Sequence, residues 1–101
     1  MTKVFGSTSD DLPRLARELS ARLGVTFELH DSSFRGGDYY RARTERGEMI
    51  LQNNHDAFND ELAEASWPGM KSLLYVDISD ETAGLQVGKV LEAVPEMQAL
   101  E

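Results

Sequence analysis

The stretch Phe34-Arg-Gly-Gly-Asp-Tyr-Tyr-Arg-Ala-Arg-Thr-Glu-Arg-Gly-Glu-Met-Ile-Leu-Gln-Asn53 restricts the fold more than any other part of the chain. Gly36-Gly37 punctuates its start, and then Tyr39, Arg41 and Arg43 share one parity while Tyr40 and Ala42 share the other. Thr44 to Gly47 reads as a polar turn ending in glycine, after which Glu48-Met-Ile-Leu-Gln52 runs back. Two alternating runs joined by such a turn predict a β-hairpin. An isolated hairpin is marginal in water, so this one needs further strands and a cover over its apolar face.

The flanking chain offers both. Lys3-Val-Phe-Gly6 reads as a short first strand. Ser7 to Asp11 supplies several possible N-caps, Pro13 sits where a first helical turn tolerates it, and Gly24 is placed to end the helix. Between them, Leu12, Leu15, Ala16, Leu19 and Leu23 form one apolar stripe, which predicts a helix near 10–23. Val25 to His30 alternates, with Val25, Phe27 and Leu29 expected inward, and should join the hairpin in a three-stranded antiparallel meander.

Beyond Asn53 the pattern dissolves until Gly69, and the segment reads as a long irregular connection pinned by Phe58, Leu62 and Trp67. Ser72-Leu-Leu-Tyr-Val-Asp-Ile78 should be an interior strand, with Leu74, Val76 and Ile78 on one face and Leu73, Tyr75 and Asp77 on the other. Ser79 or Asp80 can cap a second helix near 81–94, with Pro95 as its stop and Gly84 and Gly88 as weak points. Residues 96–101 are expected to fray. The sum is a single α+β domain over 1–101: an antiparallel or mixed sheet of about five strands with two helices packed on one face.

Charge narrows the function. The net charge of −8 is uneven: residues 48–101 hold eleven acidic groups against only Lys71 and Lys89, whereas residues 1–47 are nearly neutral. Such a field repels phosphate backbones and attracts basic proteins, so no nucleic-acid partner is expected. The chain has no cysteine, which removes disulfides and thiolate metal sites and suits a reducing compartment. No apolar run approaches the ~20 residues of a membrane helix, and no secretory h-region opens the chain. The expected location is cytoplasmic, away from membranes.

Chemistry finds little purchase. Two histidines, His30 and His55, do not make a metal centre, and no His-Glu-x-x-His or calcium-loop spacing is present. Gly36-Gly37 opens a strand, whereas a phosphate cradle must lead into a helix. Ser32, Ser33 and Ser66 lie in turn-like stretches without a nucleophile elbow, so no enzyme activity and no cofactor is expected. The competing reading is a small enzyme or ligand-binding domain using the sheet face near His30 and Tyr75. A binding surface has more behind it, because tyrosines and charges mix on one parity of the sheet. The residues assigned to partner contact are Asp38, Tyr39, Tyr40, Asp56, Asp60, Glu61, Glu64 and Tyr75.

Across roughly residues 25–78 the chain resembles the small acidic immunity proteins of bacterial polymorphic toxin systems, including those of contact-dependent growth inhibition. The resemblance rests on architecture, charge and the runs Gly36-Gly-Asp-Tyr-Tyr40, Ile50-Leu-Gln-Asn-Asn54 and Leu73-Leu-Tyr-Val76. It implies a cognate toxin domain, commonly a basic nuclease, neutralised by tight stoichiometric binding. Arg41 and Arg43 on the expected interface depart from a purely acidic phosphate mimic.

Overall fold

The computed structural model describes residues 2–32, 37–56 and 61–100. In chain order the elements are β1 (Thr2–Ser7), α1 (Leu12–Leu23), β2 (Glu28–Ser32), β3 (Gly37–Thr44) and β4 (Gly47–Asn53). They continue with β5 (His55–Asp56), β6 (Glu61–Leu62), β7 (Ser72–Ile78), α2 (Glu81–Glu92) and β8 (Gln98–Ala99). The architecture is α+β: a six-stranded sheet in the order β2-β3-β4-β7-β1-β8, with a small two-stranded sheet from β5 and β6. Every pairing is antiparallel. The expected interior position of β7 holds, since it lies between β4 and β1.

The core lies on one face of the sheet. Across the ladders Ala42 faces Met49, Met49 faces Val76, and Leu51 and Phe5 both face Leu74. All of these are buried, and they pack with Leu12, Leu15, Ala16 and Leu19 of α1 and Leu91 of α2. Each fully buried aliphatic side chain of this kind contributes roughly 1.5–3 kcal/mol of transfer free energy. That burial, rather than intrinsic propensity, holds two helices of only 12 residues each.

Both helices start and stop where the sequence signals. Asp11 Oδ1 accepts from Arg14 N at 3.3 Å, and Gly24 closes α1 in the left-handed region at φ 67° with its N–H on Ser20 O. Asp80 Oδ1 accepts from Ala83 N at 2.9 Å, and the same carboxylate pairs through Oδ2 with Arg46 in the β3–β4 turn. Gly47, which ends that turn, cannot be replaced cheaply: a Cβ there would lie 1.9 Å from the carbonyl oxygen of Asp77.

Two expectations need correction. Residues 96–100 do not fray: Gln98–Ala99 pairs with β1, Leu100 is 1% exposed, and Arg14 grips Glu96 with bonds of 2.6 and 2.5 Å. The strand expected from Val25 starts at Glu28, and Leu29 is 58% exposed rather than inward. Its parity is right, but α1 lies over β3 and β4 and α2 over β7 and β8, so β2 overhangs the helical layer. Two further departures are smaller. The sheet has one strand more than expected because the tail supplies β8, and within 54–69 the chain forms β5 and β6.

Candidate protein-binding face

The sheet face away from the helices carries the other parity of every strand. Register places His30, Tyr39, Gln52, Leu73 and Gly6 in one row across it, and Glu28, Arg41, Ile50, Tyr75 and Val4 in the next. Arg43, Glu48, Asp77 and Thr2 make a third. This face has two halves with different covers.

One half is roofed by the arm that leaves β4 and returns at β7. Its anchor is Asn54, only 1% exposed. Asn54 Oδ1 accepts from Glu64 N at 2.8 Å, and its Nδ2 donates to Trp67 O and Met70 O, both at 3.0 Å. Its own N–H reaches Lys71 O and its carbonyl accepts from Ala63 N. A buried amide with each of these groups bonded fixes one loop path, because any other path would orphan a polar group in the interior. The arm is braced a second time where Tyr75 OH donates to Glu64 Oε1 at 2.9 Å. Met70 lies over Gly6, where a Cβ would come within 2.8 Å of its thioether, so glycine lets the arm approach the sheet closely.

The other half is open. His30 and Tyr39, cross-strand partners, stack with ring centroids 5.4 Å apart and planes at 17°. Arg41 Nε donates to Glu48 Oε1 at 2.8 Å, so its charge is answered within the sheet. Arg43 meets no carboxylate among the described residues. A shallow groove of about 590 Å³ crosses this half, lined by Arg41, Arg43, Glu48, Asp77 and the turn beneath them. On the opposite face a groove of about 390 Å³ runs between the C-terminal end of α1 and α2, with Val25, Val87 and Val90 in its wall.

The residues expected to meet a partner are divided. Tyr39 and Tyr75 lie on the face just described, and Glu64 reaches it through Tyr75. Tyr40 points the other way and packs against the core, while Asp38, on the same parity as Tyr40, is exposed opposite Asp31. Glu61 is exposed on the arm, paired through the backbone with Asp56. Asp60 and Phe58 lie outside the described residues, as does the side chain of Asp56. Glu64 is half-buried and engaged, so it acts as a brace and not as a free charge. Of the remaining pins expected for the arm, Trp67 is half-buried and Leu62 is 37% exposed.

Asn54 is the residue that sequence reasoning missed. Its only trace was the pair Asn53-Asn54 at the point where strand alternation stops. Neither His30 nor Tyr75 lines either groove, and both histidines are exposed.

Electrostatics sharpen the picture. Arg14, Arg22, Arg41 and Arg46 are all held in ion pairs within the chain. By contrast Glu28, Asp31, Asp38, Glu61 and Asp77 are exposed with no cation in ion-pair range among the described residues. Glu96 is held below the usual carboxylate range by its hydrogen bonds from Arg14, and Asp80 by the Ala83 N–H and then by Arg46. Among the described residues no group of three His, Asp or Glu side chains is placed to hold a metal ion, and no helix is long and apolar enough to cross a membrane. No family model, no curated protein and no solved structure matches the chain.

Proposed function

We propose that this chain is an immunity protein: a non-catalytic inhibitor that binds a basic toxin domain stoichiometrically and occludes it in the cytoplasm of the producing cell. The observation that carries this reading is the asymmetry of charge use. Arg14, Arg22, Arg41 and Arg46 are held in ion pairs within the chain, while carboxylates on the β2–β3 edge, the arm and the open sheet face have no cation in ion-pair range among the described residues. Each ion pair cancels one positive and one negative charge, so the net charge of −8 is carried by the groups that remain unpaired at the surface. Uncompensated surface carboxylates steer a basic partner and speed its encounter.

The open half of the sheet adds what a docking surface needs besides charge. The stacked His30–Tyr39 pair is a rigid aromatic group with polar tips, the type of anchor enriched at interface centres, and Tyr75 stands at the border with the roofed half, tied to Glu64 of the arm. A standard interface would bury ~1,600 Å² in total, which needs this half of the face together with the arm or the β2 edge.

The test is to express the C-terminal domain encoded in the neighbouring reading frame with and without this chain. The reading predicts growth arrest by that domain alone, relief by the chain, and a one-to-one complex on purification. Glu61→Lys with Asp77→Lys should slow association while leaving the fold intact, since both side chains are exposed and meet no cation among the described residues. A neighbouring domain that is neither toxic nor bound would overturn the proposal.

A further inference from the structure

The sheet ends in two unlike edges. At one, β8 offers two residues. At the other, β2 offers five, Glu28-Leu-His-Asp-Ser32, paired among the described residues to β3 alone. Its outer row of backbone N–H and C=O groups is a template for another strand.

Two more observations converge there. Leu29, on the side of the sheet that β2 extends past the helices, is the most exposed large apolar side chain among the described residues at 58%. Beside it Asp31 and Asp38 sit directly opposite each other across the ladder, both exposed and with no cation in range among the described residues. Like charges directly opposed in a ladder oppose its formation. Glu28 adds a third carboxylate on the other face of the same strand, because its register partner Arg41 is committed to Glu48.

We infer that β2 is a docking edge that takes an extended, lysine- or arginine-bearing segment of another protein as the seventh strand of the sheet; this deepens the inhibitor reading by naming where the partner attaches. Charge decides the occupant. Two copies pairing through β2 would bring both sets of Glu28, Asp31 and Asp38 together, so self-association is opposed by the same groups that would neutralise a basic strand. Main-chain hydrogen bonds would supply the register, Leu29 an apolar contact, and the carboxylates the selection.

The probe is a synthetic peptide of alternating lysine and valine, with its glutamate and valine counterpart as control, titrated into the labelled full chain and followed by amide chemical shift and hydrogen exchange. The expected result is shifts and slowed exchange confined to β2 and β3 with the lysine peptide, none with the glutamate peptide, and both weakened by salt. Reversing Glu28, Asp31 and Asp38 to lysine should weaken lysine-peptide binding by about tenfold or more and confer binding of the glutamate peptide. Asp38→Asn should raise the melting temperature while weakening binding, which a charge kept only for stability would not do.

The inference is overturned if the lysine peptide leaves β2 unperturbed, if both peptides bind alike, or if the shifts fall on the arm or the open sheet face. It is equally overturned if the reversed variant dimerises while the native chain binds neither peptide, for then the acids serve only to keep copies apart. Growth relief with no β2 response would move the docking site elsewhere and keep the inhibitor reading; β2 binding without growth relief would do the reverse.

Discussion

The two faces of the sheet solve the same problem by different physics. On one, α1 and α2 seal Met49, Leu51, Leu74 and Val76 with other hydrocarbon, and the surface area removed from water is what counts. On the other, the described part of the arm is held by the buried Asn54 amide, by the Tyr75 hydroxyl on Glu64 and by a glycine that permits close approach. An apolar seal is tolerant of exchange among similar shapes, whereas a polar hub fails as soon as one partner is removed. The helical face is thus expected to carry global stability, and the arm to open as a separate unit.

The largest effect that could break this contrast is in the core. Leu74→Ala, at a fully buried position, should lower unfolding free energy by ~2–5 kcal/mol, measured by denaturant titration. Asn54→Ala should follow at ~1–3 kcal/mol, and its signature should be local, with hydrogen exchange accelerating across residues 61–71 before the core amides respond. If Asn54→Ala instead melts the whole molecule in one transition with Leu74→Ala, the arm is no separate unit. Tyr75→Phe removes the hydroxyl's bond to Glu64 at a half-buried site and should cost ~0.5–1.5 kcal/mol, visible as faster exchange near Glu64.

Acid sharpens the comparison most gently. Glu96 and Asp80 have carboxyls held below their ordinary values, so in the folded state they bind protons less readily than in the unfolded chain. Their contribution is therefore fully present above the ordinary carboxylate range and fades as pH falls through it toward the lowered folded values. Both lie on the helical side, at the α2 cap and the Arg14 clasp. Glu96→Gln should accordingly flatten the acid limb of a thermal-melt profile while leaving exchange in the arm unchanged.

Much of the helical face was legible in the sequence because periodicity reports it directly. The stripe from Leu12 to Leu19, the opposed parities of Leu74 and Leu73 and the stop at Gly24 all stand where spacing put them, and Asp11 and Asp80 are the caps taken from the several that the sequence offered. Leu29 shows the limit of that logic, since parity fixes which way a side chain points and not whether a helix reaches far enough to cover it. The tail shows another: a strand of two residues is too short for alternation to register, and β8 exists because β1 offered it a free edge. Asn54 was invisible for a third reason, because a polar hub is defined by the distant carbonyls of Trp67 and Met70 and leaves no period in the chain. Of the expected contact residues, the sheet places Tyr39 and Tyr75 on one face, in successive rows with β4 between them, while the alternation that joins neighbours in sequence sends Tyr40 to the core.

The proposed function requires a negatively charged surface that captures a basic polypeptide. The direct measurement is the association rate of the chain with the toxin domain proposed as its partner, followed by stopped flow from low to physiological ionic strength. Steering by unpaired carboxylates predicts a rate that falls by about tenfold or more as salt screens them. A rate that does not change with salt would contradict it.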